Sequence, residues 1–154
     1  AWELTTMINP LNHARSAAGV ATYKAEPYVL AADIYALAPH TGQGGWSWYS
    51  GSAGWMYRLL LESLLGLRLE NGKLHFAPCL PPDWPGFELS YRYRATLYRI
   101  DIVQMAEGAM VGASRLWLDG IEQTEPAISL VDDIREHQVR LSFQPALPLV
   151  QGYH

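Results

Sequence analysis

The spacing of apolar positions changes character near Gly66. Before it, apolar residues gather at helical spacing between proline and glycine breaks; after it, they alternate with polar residues as half-buried strands do. Residues 2–8 read as the end of a helix stopped by Asn9-Pro10, because proline pushes its predecessor out of the helical region. Residues 9–23 read as a connector with room for a short helical turn. Residues 25–38 (Ala-Glu-Pro-Tyr-Val-Leu-Ala-Ala-Asp-Ile-Tyr-Ala-Leu-Ala) suit a helix with Pro27 in its first turn, where a missing N–H costs little, and Pro39 ends it. Residues 40–52 are dense in glycine and small hydroxyls, which is loop chemistry. Residues 53–65 are apolar on nearly every side. That pattern predicts a helix inside a larger helical assembly, with Trp55, Met56, Leu60 and Leu64 buried and Gly66 as its cap.

Beyond Gly66 the pattern predicts antiparallel strands. Residues 67–70 and 73–76 alternate around Asn71-Gly72, the strongest short hairpin signal a sequence carries. Phe87, Leu89, Tyr91 and Tyr93 share one parity, whereas Tyr98, Ile100 and Ile102 take the other, so a turn falls within residues 94–96 and makes a second hairpin. Residues 115–118, 127–131 and 137–143 supply further strands, and Asp119-Gly120 reads as a turn.

Composition narrows the function classes. The chain has 154 residues, enough for one domain or for the end of one joined to a small second one. With 49% hydrophobic residues, 17% charged residues and a net charge of -4, it should be globular, and no broad positive field draws in nucleic acid. The single cysteine, Cys79, rules out an internal disulfide and favours the cytoplasm. No apolar run is long enough to span a membrane, and the first residues lack an export signal, so this segment is expected to make no direct membrane contact. The chain begins at Ala1 inside a helical pattern, as a piece of a longer polypeptide would. Six tryptophans and nine tyrosines supply flat rings that serve equally as core filling or as platforms for sugar faces.

Candidate chemistry gathers in the glycine-rich loop. Ser50 and Gly51 lie just before the helix predicted over 53–65, where N–H groups and the helix dipole favour an anion such as phosphate. Ser52 is placed to cap the same helix, and spacing alone leaves both readings open. No lysine follows the last glycine, which disfavours a nucleotide-binding loop. Lys24 and Glu26 flank the start of the preceding predicted helix and could hydrogen-bond sugar hydroxyls, or simply suit a helix end. Asp33 and Glu62 are possible acid or base groups, but no spacing marks the pair of carboxyls that glycoside chemistry needs. The five histidines show no metal-ligand spacing, and Cys79 has no activating neighbour, so neither a metal nor a thiol nucleophile is expected.

Three stretches carry a family resemblance: residues 23–29 (Tyr-Lys-Ala-Glu-Pro-Tyr-Val), residues 44–57 (Gly-Gly-Trp-Ser-Trp-Tyr-Ser-Gly-Ser-Ala-Gly-Trp-Met-Tyr) and residues 78–87 (Pro-Cys-Leu-Pro-Pro-Asp-Trp-Pro-Gly-Phe). In order and spacing they resemble glycoside hydrolase family 94, over roughly residues 1–104. That family contains cellobiose and chitobiose phosphorylases and the C-terminal phosphorylase-like region of cyclic β-1,2-glucan synthase, to which the wording of residues 44–49 is most similar.

The resemblance implies an α+β fragment: the last helices of an (α/α)6 barrel over residues 1–66, then a small antiparallel β-sheet or sandwich domain over 67–154. It also implies inverting phosphorolysis of β-glucosides, with inorganic phosphate as co-substrate and no other cofactor. The family's phosphate-binding Thr-Gly pair maps onto Ser50 and Gly51, a serine keeping the hydroxyl of the usual threonine. Lys24 and Glu26 fall in the family's Lys-x-Glu-Pro-Tyr stretch as sugar-subsite residues. The general acid, the phosphate-binding arginines and a phosphate-binding histidine of the family would precede Ala1, leaving no catalytic residue in this segment; His13 stays structural. The expected partners are an oligosaccharide or β-glucan and the remainder of the same polypeptide, through which the whole protein could be membrane-attached. The alternative is a noncatalytic carbohydrate-binding or interaction module, for which a sheet and exposed rings would suffice.

Overall fold

The computed structural model describes residues 2–105 and 114–144. The chain divides into two compact units, Ala1–Leu60 and Leu61–His154.

The first unit opens with three short helices, α1 (Trp2–Ile8), α2 (Pro10–His13) and α3 (Ala17–Tyr23). Asn9-Pro10 stops α1 as expected, but the residues after it are more helical than a connector with one turn. The reason is capping: Asn9 accepts from Leu11 N (3.1 Å) with Pro10 in the first turn of α2, and Ser16 accepts from Gly19 N (3.0 Å) at the start of α3. Lys24 ends α3 in the left-handed conformation, φ 55°. His13 stacks on the buried Tyr23 ring at 4.8 Å, and its Nε2 lies 2.6 Å from Met7 O.

The helix expected over 25–38 does not form. That segment runs as an irregular hairpin against the glycine-rich loop: Ala32 N donates to Trp46 O (2.7 Å), Tyr35 N to Gln43 O (2.9 Å) and Gly45 N to Asp33 O (2.8 Å), around an Ile34–Gly44 bridge. Its backbone groups find partners across the loop instead of four residues back, so non-local pairing overrides a weak local preference. A Cβ on Gly45 would meet the Asp33 carboxylate, which would have to swing aside.

Helix α4 (Ser50–Arg58) begins three residues before the expected start at residue 53, and a π-helical turn, Leu59–Leu64, follows it. Of the four positions expected to be buried, only Leu64 is; Met56 and Leu60 are half-buried and Trp55 is 74% exposed. No residue of α4 is fully buried, although its sequence is apolar on nearly every side.

In the second unit β1 (Leu67–Glu70) and β2 (Lys73–Phe76) pair with Glu70 opposite Lys73. Asn71 and Gly72, at φ 51° and 74°, form the mirror-image turn that such a two-residue loop requires. β7 (Ala127–Ser129) adds to β2 and completes a three-stranded sheet. A five-stranded sheet has the order β3 (Gly86–Tyr93), β4 (Thr96–Gln104), β8 (Glu136–Phe143), β5 (Arg115–Leu118), β6 (Ile121–Gln123). The second hairpin turns through Arg94-Ala95 with Tyr93 opposite Thr96, and β5 and β6 turn through Asp119-Gly120.

Two features depart from expectation. β6 is an additional strand, and the sheet is mixed, because β8 lies parallel to β4 (Ile100 opposite Val139) and antiparallel to β5. A parallel neighbour needs a crossover, here the run through β5, β6 and β7, and alternation along one strand carries no record of it. Tyr98, Ile100, Ile102, Leu116, Val139 and Leu141 form the buried face of this sheet, and Leu74, Phe76 and Ile128 are buried in the other. No helix among the described residues is long and apolar enough to cross a membrane.

Candidate functional site

The loop between the irregular hairpin and α4 brings the sequence-predicted groups together in part. Tyr49 is the N-cap of α4 and makes no side-chain cap hydrogen bond, so Ser50, Gly51 and Ser52 form the first turn. Ser52 is therefore not the cap. The first N–H groups of a helix have no partner four residues back, and none is taken up here by a side-chain cap, so the start of α4 presents donors and a dipole to an anion. Ser50 and Gly51 are both exposed.

Glu26 is tied to this loop. Its carboxylate accepts from Trp48 Nε1 (3.0 Å) on one oxygen and from Ser47 Oγ (3.3 Å) on the other, two and three residues before Ser50. The Trp48 hydrogen bond, helped by the Glu26 backbone and Ser47, holds the carboxyl below its ordinary range, so Glu26 is an ionised acceptor at neutral pH. Trp48 takes a left-handed backbone, φ 62°, which turns its indole toward Glu26 and edge-on to Tyr28 at 6.4 Å. Trp46 stacks on Tyr49 at 5.7 Å. Tyr28, Trp46 and Trp48 are each more than two-thirds exposed, so this loop presents flat rings beside a fixed carboxylate. Lys24 stands exposed at the end of α3. Trp48 and Ser47 as partners of Glu26 were not foreseen; the only signal was their presence in a loop already marked for chemistry.

A second polar cluster lies in the second unit. His137 Nδ1 is 2.6 Å from Asp119 Oδ2, and its Nε2 is 3.2 Å from both oxygens of Asp133, with the ring stacked on Tyr98 at 5.0 Å. Both ring nitrogens face carboxylates, so both act as donors and the imidazolium is favoured. Asp119 raises the His137 pKa, desolvation opposes it, and Asp133 adds to the rise. Asp119 is lowered chiefly by His137. Asp133 is pushed up by desolvation but held below its usual value by the Arg135 N–H, His137 and Thr96 together. Thr96, fully buried, receives the N–H groups of Asp133 and Ile134 (2.8 and 2.9 Å), which makes the cluster a staple between the 131–135 loop and the sheet. Only the pairing of β5 with β8 brings Asp119 and His137 together, so sequence spacing gave no sign of it. Among the described residues no three His, Cys, Asp or Glu side chains are gathered as a metal would need.

Comparison with known proteins adds to this picture. Residues 1–66 match the family model described as glycosyl hydrolase 94 superfamily, catalytic domain, and residues 67–106 match that of glycosyl hydrolase family 65, C-terminal domain. The chain is 46% identical over 102 residues to the cyclic beta-(1,2)-glucan synthase NdvB of Rhizobium meliloti (strain 1021), covering 66% of this chain and 4% of that protein. It is 28% identical over 117 residues to the solabiose phosphorylase of Paenibacillus borealis, covering 75% of this chain and 15% of that protein. A 1,2-beta-oligoglucan phosphorylase of Listeria innocua serovar 6a is 28% identical over 102 residues, covering 57% of this chain and 9% of that protein. The chain thus spans a small fraction of the length of these relatives.

Proposed function

We propose, for a chain whose residues 1–66 belong to the glycosyl hydrolase 94 superfamily, that it is the C-terminal part of a glycoside phosphorylase or cyclic β-1,2-glucan synthase-type glycosyltransferase. In this reading residues 1–66 close an (α/α)6 barrel, residues 67–154 form the β domain after it, and the loop before α4 supplies one side of a phosphate and sugar site. The segment works in the cytoplasm, and any membrane attachment is made by other parts of the polypeptide.

Inorganic phosphate sits at the start of α4 on the Ser50 hydroxyl and the Gly51 N–H. One phosphate oxygen attacks the anomeric carbon of a β-glucoside, the bond to the leaving oxygen breaks, and a carboxylic acid elsewhere in the polypeptide protonates that oxygen, with inversion. Glu26 accepts hydrogen bonds from sugar hydroxyls, Lys24 donates to them, and the rings beside Glu26 offer faces for stacking. The observation that carries the phosphate assignment is the uncapped first turn of α4, with Glu26 anchored two residues before it. The exposed Trp55 side of α4 suits burial against further barrel helices.

The test is the phosphate dependence of initial rates in the enzyme carrying the whole catalytic domain. Ser50→Ala removes a hydrogen bond to a charged group, worth about 1.5–3 kcal/mol, so the phosphate KM should rise roughly ten- to a hundredfold. An unchanged phosphate response would return this loop to a purely structural role.

A further inference from the structure

The face of the five-stranded sheet opposite the core has an organisation that the phosphate and sugar loop does not explain. Strand register sets Glu88, Asp101, Arg140, Trp117 and Glu122 in one row across β3, β4, β8, β5 and β6. Ser90, Arg99 and Gln138 make a parallel row beside it. Alternate residues on these strands, such as Ile100, Leu116, Val139 and Leu141, are buried, so these two rows face outward. Trp117 is the large ring in the first row, and it lines a shallow groove of about 500 Å³ with Asp101, Gly120, Gln138, Arg140 and Ser142. A second groove, about 700 Å³, runs on past Asp101 and Gln138 to Glu88, Ser90, Arg99 and Glu136. Five strands make the row roughly 19 Å long at the usual inter-strand spacing, enough for several sugar rings.

Three arginines on this face are each paired with a carboxylate. Arg140 lies 3.8 Å from Asp101, Arg99 is 3.3 Å from Glu136, and Arg115 is 2.7 Å from Glu122. Paired charges create no field for a polyanion or a polycation, yet they leave carboxylate, guanidinium, amide and hydroxyl groups beside a flat ring. A pyranose matches that combination: its C–H face stacks on the indole and its hydroxyls both donate and accept. Arg115, held by Glu122 through two contacts (2.7 and 3.1 Å), lies over the Trp117 ring at 5.5 Å, so an ion-paired guanidinium flanks the platform.

We infer that the outer face of the five-stranded sheet is a binding surface for a neutral glycan chain, with Trp117 as the stacking platform and Asp101, Gln138, Arg140 and Ser142 as hydroxyl partners. That the glycan is a β-glucan rests on the proposed function; the ring-centred face with its paired arginines does not.

Affinity electrophoresis of the 154-residue chain through gels containing linear β-1,2-glucan tests the surface, with dextran sulfate as the anionic comparison. Wild type should be retarded by the neutral glucan in a concentration-dependent way. Trp117→Ala should weaken binding by about tenfold or more, as loss of a stacking ring implies. Trp117→Phe should fall between, and Arg140→Gln on the neighbouring strand should also weaken binding. Melting curves show whether each variant is folded. Leu37→Ala, an exposed position of the first unit outside both surfaces, should keep its retardation. Equal mobility of wild type and Trp117→Ala in the glucan gel overturns the inference, as does stronger retardation by dextran sulfate. If Trp48→Ala loses retardation while Trp117→Ala keeps it, the sheet surface fails and the loop reading stands.

Discussion

His137 ties protonation to the integrity of the second unit. Its pKa is raised above 6.5 by Asp119 and Asp133, so the stability it contributes is complete below pH 6.5 and is lost as pH climbs through the raised value. The two aspartates are lowered from 3.8, so their contribution is present above that pH and lost as pH falls through their depressed values. The charged groups facing the ring are these two carboxylates, with Tyr98 stacked on it and itself pushed up by burial. The melting temperature should therefore hold between pH 4.5, above which Glu26 and both aspartates are ionised in either state, and pH 6.5, and should decline on the alkaline side. His137→Gln should abolish that alkaline decline; a wild-type slope in the variant would assign it to another group. In the loop, Ser50→Thr keeps the hydroxyl and should leave the phosphate response of the full enzyme unchanged. Ser52→Ala should leave the melting temperature unchanged within about half a degree to a degree, since Ser52 sits inside the first turn and loses no cap.

Among the elements, turns set by two residues were readable and pairings set by distant residues were not. Asn71-Gly72 and Asp119-Gly120 both take the positive φ values their residue types favour, and each fixes a hairpin register by itself. Glu26 was legible as a candidate from residue type, but its anchoring by Trp48 and Ser47 depends on a loop fold built from hydrogen bonds between residues 32–35 and 42–46. The same hydrogen bonds consumed the segment that helical spacing marked at 25–38. Glycines separate local from tertiary demands in a way that can be measured. Gly66 and Gly72 both have φ 74°, but a Cβ on Gly66 would strike the Ala77 backbone, whereas one on Gly72 meets nothing within 4 Å. Gly72→Ala should cost only the backbone term, about 1–2 kcal/mol. Gly66→Ala should cost clearly more, and denaturant midpoints of the two variants compare them directly. Equal losses would mean that the Gly66 turn relaxes freely.

For the whole molecule, the proposed assignments supply only the phosphate side of a displacement that also needs a carboxylic acid on the leaving-group side. General acid catalysis contributes roughly 10²- to 10⁴-fold, so the 154-residue chain alone should release no sugar phosphate from β-glucosides when incubated with inorganic phosphate. Measurable release would place an acid within this chain and overturn the assignments. The central place of β8, between β4 and β5, also has a consequence for synthesis. A ribosome delivers β3, β4, β5 and β6 well before Glu136 emerges, so for that interval the growing chain carries two strands whose inward edges have no partner. The sheet can be joined only when β8 slides between them. A messenger cut short ahead of that strand would yield a nascent product with two open edges, a substrate for chaperones and proteases rather than a smaller version of the fold.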